Sequence, residues 1–125
     1  MEIFRVLGTL SAVLLFVQIS LFVLRRIYKY LPKKPKFMVP VLKILKNSHI
    51  YTGITLLIIG FVHGILALGK IQLHTGWILW FGIFFAFLGF LLRGKIGKKW
   101  IIFHRIIGFI LIGLFFIHKF FPWII

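Results

Sequence analysis

This sequence predicts an all-α membrane protein, a four-transmembrane-helix bundle, on three observations. Hydrophobic residues make up 62% of its 125 positions, and Phe alone supplies 16. A soluble domain of that size cannot hide so much apolar surface, whereas a bilayer takes it up as solvent. Four apolar stretches are each long enough to cross about 30 Å of hydrocarbon, which takes about 20 helical residues. Finally, the basic residues gather in two of the three connections, the asymmetry of a polytopic membrane protein.

The spans run roughly over residues 3–24, 41–68, 74–92 and 100–117, and the whole chain, 1–125, is read as a single domain. The first opens with Ile3 and is followed, not preceded, by a basic cluster; no small-residue cleavage site trails it, so it reads as a retained helix. The linker 25–40 is rich in Lys and Arg, and Pro32, Pro35 and Pro40 forbid a continuous helix through it. The second span exceeds what a bilayer needs and either tilts or begins as an interfacial segment. The third begins at His74, and the fourth starts at Trp100.

Loop charge sets the expected orientation. The first connection and the start of the second span carry Arg25, Arg26, Lys29, Lys33, Lys34, Lys36, Lys43 and Lys46; the third carries Arg93, Lys95, Lys98 and Lys99, with Arg105 just inside the last span. Opposite them stand Arg5, Lys70 and Lys119. This places both termini outside and the basic loops in the cytoplasm of a multi-pass protein of the cell membrane.

The formal charge is +15, with Glu2 the single acidic residue. Because the cations lie between apolar spans, their expected partners are membrane lipid headgroups, propionates or an acidic docking protein, with no nucleic acid. Paired-carboxylate hydrolysis is excluded, as are carboxylate proton relays. The chain has no cysteine, so disulfides, thiolate metal sites, iron–sulfur clusters and covalent c-type haem are excluded too.

Two histidine pairs, His49/His63 and His104/His118, share a separation of fourteen positions. Fourteen helical residues turn about 1400°, within roughly 40° of four turns, and rise about 21 Å. Each pair thus shares a helix face, one imidazole toward each side of the bilayer, where a histidine reads as functional by default. With alternating spans, the second and fourth run parallel, so His49 matches His104 in depth on the cytoplasmic side and His63 matches His118 on the outer side. Both helices read H-x3-G-x9-H, and Gly53 and Gly108 fall one turn after a histidine, where a missing side chain lets a flat macrocycle approach. Gly60 and Gly113 could serve likewise, against glycine's ordinary use in close helix–helix packing within membranes.

Two imidazoles per depth are too few for a zinc or iron cage but complete a haem, whose porphyrin supplies the other four ligands. Haem is therefore the better chemical fit. His74 is unpaired by spacing; it reads as interfacial or as a contact to an outer haem propionate. Lys46, Lys99 and Arg105 lie close to the cytoplasmic histidines and are candidates for propionates there, against ordinary positive-inside flanking. Trp77, Trp80, Trp100 and Trp123 fit an aromatic belt, and Thr52 and Thr55 read as helix-bonded hydroxyls.

On these histidine pairs and the four spans, the chain resembles the four-helix di-haem transmembrane cytochromes b, a group including cytochrome b561-like proteins, ferric-reductase-like membrane domains and the cytochrome b subunits of respiratory complexes. The resemblance implies two haem b, with His49/His104 and His63/His118 as axial ligands to the iron, between the second and fourth helices. It implies electron transport across the membrane, the chain being an electron-transfer component or membrane subunit of an oxidoreductase. The expected partner is a flavoprotein, an iron–sulfur protein, another oxidoreductase subunit or a quinone; no attached flavin or nicotinamide domain and no quinone signature is seen. The competing expectation is a redox-inert membrane assembly or ion-transport protein whose histidines are structural or bind ions.

Overall fold

A computed structural model describes residues 2–124. The described chain is helical throughout, without strands: α1 (Ile3–Tyr30), α2 (Met38–Leu68), α3 (Thr75–Leu91), a single turn α4 (Arg93–Ile96) and α5 (Trp100–Phe120). Three helical segments are long and apolar enough to cross a membrane: Ile3–Tyr30, Met38–Leu68 and Arg93–Phe120, the last counting α4, the following turn and α5 as one. The 17-residue α3 is apolar but shorter. Where the sequence predicts four spans, the structure gives three of full length and one short one.

Helix ends follow local chemistry. α1 continues past Leu24 to Tyr30 because Arg25 to Tyr30 contain no helix breaker; it stops just before Pro32. The expected linker 25–40 is correspondingly narrower, with the helical chain interrupted from residue 31 to 37. Pro40 falls in the first turn of α2, where its missing N–H has no intrahelical partner to lose. Lys34 Nζ donates to the Tyr28 and Lys29 carbonyls at 2.6 and 3.2 Å, satisfying acceptors left over at the end of α1. Gly69 closes α2 with φ 75°, its N–H on the Ile65 carbonyl at 2.7 Å. Arg93 repeats the lysine's role on α3, donating to the Phe90 carbonyl at 2.9 Å.

The chain divides into two compact units, one ending at Ile59 and the other beginning at Gly60, so the division falls within α2. In the first unit, Gln18 of α1 donates its amide to Thr52 Oγ1 of α2. Thr52 in turn donates to its own helix at the Ser48 carbonyl, 3.0 Å away, and Thr55 does so to Tyr51 at 2.9 Å. In the second unit, α3 and α5 pack antiparallel. Leu79 and Ala86 meet Leu111 in a buried core flanked by Ile83, Ile107, Leu114 and Phe115. The last turns of α2 close on α3 through glycine: a Cβ at Gly64 would lie 2.9 Å from Trp77 Cζ2, and one at Gly60 3.2 Å from Trp80 Cδ1. Trp77 is therefore buried against α2, not exposed in an aromatic belt.

Candidate functional site

The second unit brings together three of the five histidines. His63 comes from the last turns of α2, His74 from the position preceding α3, and His118 from the end of α5. The His63 and His118 rings stand 6.5 Å apart, centroid to centroid, at 76°; His74 and His118 stand 6.0 Å apart at 81°. All three are half-buried.

His118 Nδ1 lies 3.1 Å from Thr75 Oγ1. The Thr75 hydroxyl has one proton, and it donates that proton to the Pro122 carbonyl at 3.3 Å. With that proton on Pro122, the hydroxyl oxygen accepts from the imidazole Nδ1–H, the arrangement that satisfies all three groups, and Nε2 is then the unprotonated nitrogen. Thr75, 3% exposed, is the one buried polar residue among those described.

His104 repeats the arrangement two heptads earlier on α5. Its Nδ1 is 3.0 Å from the Ala86 carbonyl, an acceptor only, so it too carries the proton on Nδ1. Its ring packs edge-on against Trp100 at 5.8 Å. α3 thus supplies the acceptor for both histidines of α5, one from a side chain at its start and one from its backbone a few turns on. A hydrogen bond at one ring nitrogen is how proteins hold an imidazole for metal ligation at the other.

His74 has the opposite polarity. It caps α3, with Nδ1 accepting the Gly76 N–H at 3.1 Å, so its neutral ring carries the proton on Nε2. It is set up to donate to an anion, not to bind a metal through Nε2. Among the described residues no group of three or more histidine or carboxylate side chains is arranged to hold a bare metal ion.

His49 lies half-buried on α2 in the first unit, and His104 belongs to the second. Gly53 faces Gln18: a Cβ there would come 3.3 Å from Gln18 Oε1, so its small size serves helix approach. At Gly108 and Gly113 an added Cβ meets nothing within 4 Å. Lys46, Lys99 and Arg105 are exposed.

Several participants escape sequence reasoning. Thr75 and Gly76 look like an ordinary helix start, and the Ala86 contribution is backbone. One signal was available: each histidine pair has a leucine at its midpoint, His49-Leu56-His63 and His104-Leu111-His118, and both leucines are buried, at 2% and 5% exposure. A seven-residue repeat of that kind marks the packed face of a helix. Compared with known family models, curated proteins and solved structures, the chain matches none.

Proposed function

We propose that this chain is the membrane part of a b-type electron-transfer cytochrome, with α3 serving as its fourth span and two haem b held by His63/His118 and His49/His104. The observation that carries the reading is the His63/His118 pair. The two rings, carried by α2 and α5, approach to 6.5 Å between centroids, with His74 beside them. The donor set fits, since two neutral imidazoles suit an iron whose other four positions come from a porphyrin.

The chain's own residues would act as follows. His118 and His104 offer Nε2 because Thr75 and the Ala86 carbonyl hold their Nδ1 protons. His74, with its proton on Nε2, is the donor next to the outer pair and suits a propionate there. Lys46, Lys99 and Arg105 are the corresponding cations for the cytoplasmic side. A haem held by these histidines would supply reversible one-electron storage and favour outer-sphere transfer. Electrons would pass between a cytoplasmic and an outer partner, the basic loops offering a surface to an acidic flavoprotein or iron–sulfur protein.

The test is a pyridine haemochrome assay with a reduced-minus-oxidised spectrum on protein expressed with ample haem. The expected result is about two haem b per chain, and about one in His118→Ala. Protein that carries no b-type absorbance under those conditions refutes the reading and leaves a redox-inert membrane protein.

A further inference from the structure

We infer that His74-Thr75-Gly76 forms a seat for the His118 imidazole and that Thr75 is its positioning residue, fixing which ring nitrogen is available. The inference rests on the reading of His118 as an axial ligand for its functional meaning, but its chemistry is a property of the chain alone.

Each residue of the tripeptide does something different to the same ring. The Thr75 hydroxyl accepts from His118 Nδ1–H at 3.1 Å and gives its own proton to the Pro122 carbonyl at 3.3 Å. Run from imidazole through hydroxyl to carbonyl, the chain satisfies all three groups. Gly76 provides room: an added Cβ would sit 2.9 Å from His118 Cε1 and 3.4 Å from Nδ1, too close for the ring to stay where it is. His74 holds Gly76 in place by accepting its N–H at 3.1 Å, one of the donors left over at the start of a helix. The ring cannot rotate toward α3, and exchanging tautomers would turn the Thr75 proton onto Nδ1 and away from the Pro122 carbonyl.

The seat also decides which histidine faces His63 as a ligand. His74 and His118 are neighbours at 6.0 Å, yet the hydrogen bonds give them opposite tautomers. Of these two, His118 presents the unprotonated Nε2. An acceptor on Nδ1–H also makes the imidazole a stronger donor to iron and favours the ferric state.

Two measurements test this on the full chain in detergent. In haem-free protein at pH 8, nitrogen-15 spectra of the ring are expected to show His118 protonated at Nδ1, and Thr75→Val to mix the two tautomers; a wild-type ring protonated at Nε2 overturns the inference. In haem titrations, Thr75→Val is expected to weaken binding of one haem about 10–100-fold, the usual cost of losing such a partner. That haem's midpoint potential rises while the other's stays put. Thr75→Ser restores both values, and Gly76→Ala weakens the same haem by displacing the ring. Wild-type protein that takes up two haems while Thr75→Val leaves both affinities and both potentials unchanged refutes the seat and spares the cytochrome. Wild-type protein that takes up no haem refutes the cytochrome, and the ring spectra then judge the seat on their own.

Discussion

Gly64→Ala should open the junction between α2 and α3. The alanine methyl would lie 2.9 Å from Trp77 Cζ2 and 3.2 Å from both Cε2 and Cη2. Trp77 cannot give way easily: it is 2% exposed, its Nε1–H is held by the Lys70 carbonyl at 3.1 Å, and the rings of Phe61 and Trp80 stand 5.7 and 5.8 Å from it. Overpacking of this kind costs about 1–3 kcal/mol. Alanine returns about 0.8–1.0 kcal/mol of helix propensity. The net expectation is a loss of about 1 kcal/mol, read by SDS titration of protein in mixed micelles. Trp77→Phe removes the offending ring edge, so Gly64→Ala should cost less in that background, with a coupling of about 1 kcal/mol in the double-mutant cycle. Gly64 adjoins His63, and moving the contact from 2.9 Å to even 3.4 Å exceeds the roughly 0.2 Å tolerance of a metal–ligand distance. If the chain binds the two haems proposed above, the one on His63 should therefore be lost first. Gly64→Ala protein as stable as wild type, with no coupling to Trp77→Phe, refutes the reasoning. Gly94→Ala is the control, since a Cβ there meets nothing within 4 Å.

Removing the cap in His74→Ala should lower stability by about 1 kcal/mol, the usual cost of losing an N-cap, in the same SDS titration. Gln18→Leu should cost about 0.6 kcal/mol, typical of one interhelical hydrogen bond in a membrane, because Thr52 keeps its bond to the Ser48 carbonyl. Lys34→Gln should speed amide exchange in the chain just past α1 and lower stability by about 0.5 kcal/mol, since the lost donor leaves the Tyr28 and Lys29 carbonyls to water.

How much of this was legible in the sequence depended on distance along the chain. The helices were readable from apolar runs and prolines, because both act locally. The end of α1 was not: hydropathy falls at Arg25, where the apolar run ends, but the helix persists to Tyr30 because Arg, Lys and Tyr are adequate helix formers. The histidine spacing was readable; the seat was not, because Thr75 meets His118 across 43 positions and nothing in a Thr-Gly pair announces a partner so remote. The glycines show the same limit. Gly53 stood out by its place after His49, yet its neighbour is Gln18, a lone amide in an apolar span whose own presence was the better clue.

The repeat on α5 raises a sharper question, because packing alone could explain it. Thr75, Leu79, Gly82, Ala86 and Gly89 alternate by four and three along α3, and four of these five positions are buried. They meet α5 at His118, Leu111, His104 and Phe103. Residues seven apart on α5 fall on such a seam whatever they are. The small residues of α3 let the two backbones approach, as in membrane helix pairs generally. The seam accounts for the positions of the histidines but not for their identity: leucine would fill the same place without needing an acceptor for Nδ1. His118→Leu separates the two explanations. Thr75 keeps its bond to the Pro122 carbonyl in that variant, so no buried donor is stranded. If the imidazole only packs, the exchange should leave stability within about 1.5 kcal/mol of wild type, as volume-conserving swaps do, and change nothing else. If the imidazole is there for its Nε2, the same stable protein should lose one haem, and loss of pigment without loss of fold is the outcome we expect.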